Sequence, residues 1–153
     1  MKKNGGFTLI ELMIVIAIIA IIAAIAIPNL LRSRMTANEG SAIGAMRTIT
    51  SAEQQYQSAA ITPFPSGMGQ YGTLAQMAGQ VPPFVDAVLG GGQKQGYAFT
   101  ATPGGVDGAP TFTCNGDPLS MGASGNRGFF ADESGVIRFA QGAVATVAST
   151  PVQ

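Results

Sequence analysis

The 153-residue chain has no histidine, no tryptophan and a single cysteine, Cys114. One cysteine excludes an intramolecular disulfide, and without histidine there is neither a Ser-His-Asp constellation nor an imidazole metal ligand. Charge is also scarce: 8 basic residues against 8 acidic ones, for a formal net charge of zero. That balance gives no electrostatic footprint for nucleic acid. No paired carboxylates or ligand clusters stand out, and no enzyme class, cofactor or metal is assigned.

What the chain does have is one long apolar run, Phe7–Ile27, in which Glu11 is the only charged residue and Thr8 the only other polar one. As a helix with about 1.5 Å of rise per residue, it is long enough to cross a bilayer core of roughly 30 Å. Nine of its 21 residues are isoleucine. Isoleucine lowers helix propensity in water, but in lipid a lone span must satisfy its backbone internally and only a helix does so. Lys2, Lys3 and the small-x-small Ala24-Ile25-Ala26 fit an ordinary secretory signal as well. Against that, the run exceeds the usual h-region length and carries a carboxylate, which costs insertion energy.

Lys2-Lys3, then Gly6-Phe7-Thr8-Leu9-Ile10-Glu11, the Ile/Ala/Val run and Pro28 together resemble the class III signal of type IV pilins and of the pseudopilins of type II secretion. The likeness covers roughly the first 30 residues; beyond them it is one of layout. It implies cleavage between Gly6 and Phe7 by a prepilin peptidase, followed by N-methylation of Phe7. It also implies that Glu11 attracts the Phe7 amine of a previously added subunit and so fixes axial stagger. The residues agree: Gly5 and Gly6 let a protease take the backbone extended, and a carboxylate in lipid needs a partner or a job. Without the motif, Glu11 snorkelling to the interface would be an equal reading. Lys2 and Lys3 favour a cytoplasmic N-terminus, although Arg32 and Arg34 beyond the span weaken the charge argument.

Pro28 cannot donate a backbone hydrogen bond and clashes with the carbonyl of Ala24, which predicts a kink or local unwinding. This either marks the end of the span or gives the helix a weak point for filament packing. Beyond it, Leu31, Met35, Ala42, Met46, Ile49 and Tyr56, with Ala52, recur at helical steps. Arg32, Asn38, Glu39, Arg47, Gln54 and Gln57 fall between them. One helix is expected from Phe7 to about Ser58. Gly40 and Gly44 each cost it about 1 kcal/mol relative to alanine; they are either tolerated or offer a close-approach face.

Within 59–153, prolines at 63, 65, 82 and 83 bar long elements up to Gly92. Short helical turns are expected at Thr73–Ala78 and Asp86–Leu89. Strands are expected at Gly96–Thr102, Thr111–Cys114, Gly128–Ala131 and Val136–Phe139. Pro103–Gly108 reads as a turn, Asn115–Asn126 as a long loop, and Ala143–Val147 as a fraying end or an edge strand. The fold class is α+β: a long N-terminal helix packed on a small antiparallel sheet. The expected organisation is a leader at 1–6, a transmembrane and filament-core helix at 7–27, an amphipathic helix at 28–58 and a globular domain at 59–153. Some pseudopilins bind calcium in C-terminal loops, and Asp107, Asp117, Asp132 and Glu133 are loop oxygens here. EF-hand spacing is absent, and aspartate beside glycine or proline is ordinary turn chemistry.

The resemblance implies a structural subunit that waits in the inner membrane as a single-pass precursor. It is then cleaved and assembled on a platform into an extracellular helical homopolymer for adhesion, twitching motility or DNA uptake. The alternatives are a pseudopilin confined to the cell envelope, a minor pilin, and an anchored domain that does not polymerise.

Overall fold

The computed structural model describes residues 7–152. A single helix, α1, runs over Leu9–Ser58 and continues as helix through Pro28. It starts two residues after Phe7, because Thr8 serves as its cap. The chain divides into two units, one up to Arg34 and one from Met35 onward.

The first unit is α1 up to Arg34. Every described side chain in it is exposed except the half-buried Ala23. Ile10, Leu12, Ile14, Ile18, Ile22 and Ile25 each keep more than half of their surface open. Leu31, expected to begin the core stripe, is also 52% exposed. A contiguous apolar surface of this size is not a monomer's ordinary skin and requires either lipid or other chains.

The second unit is built on the rest of α1. Glu39, Ala42, Ala45, Met46, Ile49, Ala52, Glu53 and Tyr56 are buried along one face, at steps of three and four. Met35 is half-buried. Two short helices follow, α2 over Leu74–Ala78 and α3 over Ala87–Gly90. Thr73 caps α2 in a capping box with Gln76, and the Asp86 side chain accepts from the Leu89 amide to cap α3. The sheet is a six-stranded antiparallel meander in sequence order: β1 Gln93–Lys94, β2 Tyr97–Val106, β3 Ala109–Pro118, β4 Arg127–Asp132, β5 Arg138–Gln141 and β6 Thr150–Pro151.

Alternation fixes which face meets the helix. Tyr97, Phe99 and Ala101 of β2, Phe112 and Cys114 of β3, and Phe129 and Ala131 of β4 are buried with Met46, Ile49 and Tyr56. Burying each of the large side chains contributes on the order of 1.5–3 kcal/mol. The Cys114 thiol lies 3.6 Å from the Met46 sulfur. Next to them Gly116 leaves room for the helix, since a Cβ there would stand 3.2 Å from that sulfur and 3.1 Å from the Phe99 ring.

Several boundaries differ from expectation, each for a local reason. Pro103–Val106 is strand rather than turn, paired with Ala109–Phe112, and only Asp107-Gly108 makes the reversal, with Gly108 at φ +85°. The ribbon β2–β3 outruns its neighbours here, since β1 reaches only Ala98 and β4 only Thr113. Proline is tolerated on such bare edges and blunts them against pairing. Asn115–Pro118 belongs to β3, which shortens the expected loop to 119–126. The β4–β5 connection uses Val136 and Ile137, so β5 begins at Arg138. Ala143–Val147 is neither strand nor frayed. It crosses the outer face of the sheet, burying Ala145, and a Cβ at Gly128 would come within 2.6 Å of the Ala143 carbonyl.

Candidate functional site

At the start of α1, the Glu11 carboxylate oxygen Oε2 accepts both the Thr8 amide, at 2.8 Å, and the Thr8 hydroxyl, at 2.7 Å. The Thr8 hydroxyl oxygen in turn accepts the Glu11 amide at 3.3 Å. This is a reciprocal capping box, and it satisfies amides that have no carbonyl partner at a helix start. In an apolar surrounding those donors are costly to leave open, so the only acid of the run first serves its own helix. Phe7 precedes the cap and is 88% exposed. In the intact chain its nitrogen is a peptide amide, and it becomes an ammonium only if the bond to Gly6 is cut. Gly6 itself lies outside the described residues. Pro28 sits inside the continuous helix, where its ring removes the donor for the Ala24 carbonyl.

A second cluster holds the sheet to the helix. Glu39, placed among the solvent-facing positions by its periodicity, is 8% exposed. One of its oxygens accepts the Asn126 amide at 2.8 Å and the other the Arg127 Nε at 2.7 Å. The Arg127 guanidinium carbon also lies 5.8 Å from the Phe129 ring centroid and 5.4 Å from that of Phe139. The Asn38 side-chain Nδ2 donates to the Ser124 carbonyl at 2.9 Å, and the Tyr97 hydroxyl to the Arg127 carbonyl at 2.9 Å. Burial pushes the Tyr97 phenol up to about 12, so it stays a donor throughout the physiological range. Helical spacing alone does not reveal Glu39, since its partners lie 87 and 88 residues away.

The oxygens considered for calcium do not converge. Asp107 is engaged by the Ser66 amide and hydroxyl, and Asp132 by those of Ser134. Asp117 stands on β3 with a buried oxygen beside Gly128, where desolvation raises its carboxyl above the usual range. Among the described residues, no three carboxylates or thiols gather as a metal site. Cys114 is buried, and desolvation pushes its thiol up to about 12.

The first 27 residues match the family model of the prokaryotic N-terminal methylation motif. That match sets a methylation-type N-terminal motif on an apolar helix joined to an α+β domain. The chain is 49% identical over 57 residues to the type IV wide pilus major component PilA4 of Thermus thermophilus, covering 37% of this chain and 44% of that protein. It is 34% identical over 102 residues to the type IV major pilin protein PilA of Myxococcus xanthus, covering 67% and 40%. It is also 35% identical over 57 residues to the type II secretion system core protein G of Vibrio cholerae, covering 37% and 39%. The chain thus spans less than half the length of these relatives. No solved structure matches it. The motif and these relatives together support a place in the type IV pilin and pseudopilin family.

Proposed function

We propose that this chain is a structural subunit of a type IV pilus, which polymerises through its N-terminal helices into an extracellular filament. The observation that carries this is the helix from Leu9 to Arg34, mostly apolar and exposed at every residue but Ala23, with Glu11 as its only acid, joined to a unit that has its own closed core. Such a surface is stable in a membrane or in a bundle of like helices, and a subunit passing between the two uses it twice.

In this proposal a prepilin peptidase and N-methyltransferase removes residues 1–6 and methylates Phe7. The freed Phe7 amine then offers the Glu11 of an incoming subunit a positive partner. Its value lies in register more than in net stability, because desolvation offsets much of the Coulomb gain of a buried pair. Before cleavage the Thr8 cap occupies one Glu11 oxygen, and the methylated amine competes for the carboxylate afterwards. Pro28 leaves one helical bond unmade and is the place where the helix bends or melts on packing. The precursor sits in the inner membrane, and the assembly platform supplies the energy. The subunit itself contributes surface and packing rather than catalysis.

A pseudopilin of type II secretion is the second reading, favoured by the likeness to core protein G. The two part on one experiment: shear cells, pellet the filaments, and measure the mass of the N-terminal peptide there and in membranes. A methylated Phe7 terminus abundant in sheared filaments establishes the pilin. The same terminus confined to the envelope transfers the assignment to a pseudopilin or a minor pilin. A terminus near Ile27 refutes both. Filaments formed normally by Glu11→Ala would refute the register role.

A further inference from the structure

Glu53 lies on the buried face of α1 with 0% of its surface exposed, and the assembly proposal has no use for it. Its Oε2 accepts the Gly72 amide at 2.9 Å, while its Oε1 is buried with no hydrogen-bond partner. Gly72 ends a tight segment, 61–72, closed on itself by bonds between Phe64 and Met68 and between Gln70 and Thr62. That segment is pressed onto the helix at two glycines. A Cβ at Gly69 would lie 1.8 Å from the Gln57 carbonyl oxygen, and one at Gly72 would lie 2.9 Å from the Tyr56 ring. Glu53 therefore provides a polar bond at a seam made otherwise by backbone contact and by the Tyr71 ring, 4.7 Å from that of Phe112.

The surroundings do not suit a carboxylate. The ionisable groups near Glu53 are Tyr71 on the loop and Cys114 on β3, both of which gain negative charge on ionising, while Glu133 acts on Tyr71 from the turn after β4. Neither described ion pair, Lys94–Asp86 or Arg127–Glu39, involves Glu53. A buried charge with one hydrogen bond, an orphaned oxygen and, among the described residues, no ion-pair partner is poorly compensated. The neutral acid accepts the Gly72 amide through its carbonyl oxygen without that penalty.

We propose that Glu53 is a proton-operated fastener: as the neutral acid it holds the 61–72 loop on the helix, and its ionisation loosens that loop. Desolvation raises the carboxyl from 4.5 to about 7 in the closed state. When the loop opens, the group regains water and its ordinary value. The closed form then binds one more proton than the open form between these two values, so opening becomes easier as pH rises through that window. Above about 7 both forms are ionised and the dependence ends. The device is independent of filament assembly and would operate in the free subunit.

The test is amide exchange of the full-length chain in detergent micelles, corrected for intrinsic rates. The protection of the Gly72 amide should fall about tenfold per pH unit between pH 4.5 and about 7, about 300-fold in all, then level off. Glu53→Gln keeps an acceptor but cannot ionise, so its Gly72 protection should stay flat. A flat wild-type profile overturns the proposal, as does an equal slope in Glu53→Gln. Should that variant fail to fold, the carboxyl-carbon shift of Glu53 in the wild-type chain decides. Titration near 7 supports the fastener, and titration in the ordinary glutamate range refutes it.

Discussion

Removing the Glu39 carboxylate should be among the most damaging single changes to the globular unit. Glu39→Ala strands two donors, the Asn126 amide and the Arg127 Nε, at the junction between helix and sheet. Deleting one partner of a fully buried pair costs about 3–5 kcal/mol. Glu39 approaches that limit with 11% of its side chain exposed, but Arg127 keeps 33% and regains part of its hydration. Discounted for that, and counting a hydrogen bond to a charged group at about 1.5–3 kcal/mol, the loss is about 2–3 kcal/mol. Glu39→Gln retains an acceptor for Asn126 and should lose about half as much. The assay is urea unfolding of the full-length chain in a mild detergent, followed by near-ultraviolet dichroism of the tyrosines. A loss below about 0.5 kcal/mol for Glu39→Ala, with unchanged slope, would refute the clamp and reduce the pair to surface decoration.

Gly69→Ala places a methyl 1.8 Å from the Gln57 carbonyl, a backbone atom that yields only if the whole loop moves. It should cost about 3 kcal/mol in the same unfolding assay, and a neutral result would mean the loop is not seated on the helix. Gly40→Ala is the opposite case, because nothing lies within 4 Å of its Cβ position. Helix propensity alone should then raise the unfolding free energy by up to about 1 kcal/mol, and a destabilised monomer would show that the open face is occupied. Cys114 should resist alkylation in the folded chain at pH 8, since burial keeps it a thiol until about 12. It should react once urea unfolds the chain, and rapid labelling of the native protein would contradict its burial.

Burial divides the helix between Arg34 and Met35, beyond the compositional break at Pro28, so Leu31 stays exposed instead of beginning the core stripe. The core stripe was legible because hydrophobic period is a local property, and Met46, Ile49, Ala52 and Tyr56 were all found on the buried face; where the covered stretch begins was not. The existence of β2 to β5 was legible for the same reason, as in the alternation at Tyr97, Phe99 and Ala101, while the two-residue edge strands β1 and β6 were not. Strand extent was not. Pro103, Gly104, Gly105 and Pro110 carry turn chemistry, and only their position on ribbon edges with no further neighbour makes them strand.

The acids show the same division more sharply. Glu11 stood out because a charge in an uninterrupted apolar run has no bland surroundings to hide in, and its cap partner, Thr8, is three residues away. Glu39 and Glu53 look like the polar side of an amphipathic helix. What separates them from Gln54 or Gln57 is a loop amide at Asn126, an arginine at 127 and a glycine amide at 72. The sequence alone determined the apolar span, the motif around Gly6, Phe7 and Glu11, the helix and the class of fold, because each depends on neighbours a few positions apart. The tertiary structure alone decided which carboxylates are buried, where the C-terminal segment lies and how closely loop and helix approach. Those depend on backbone atoms brought together across tens of residues, and no local pattern encodes their distance.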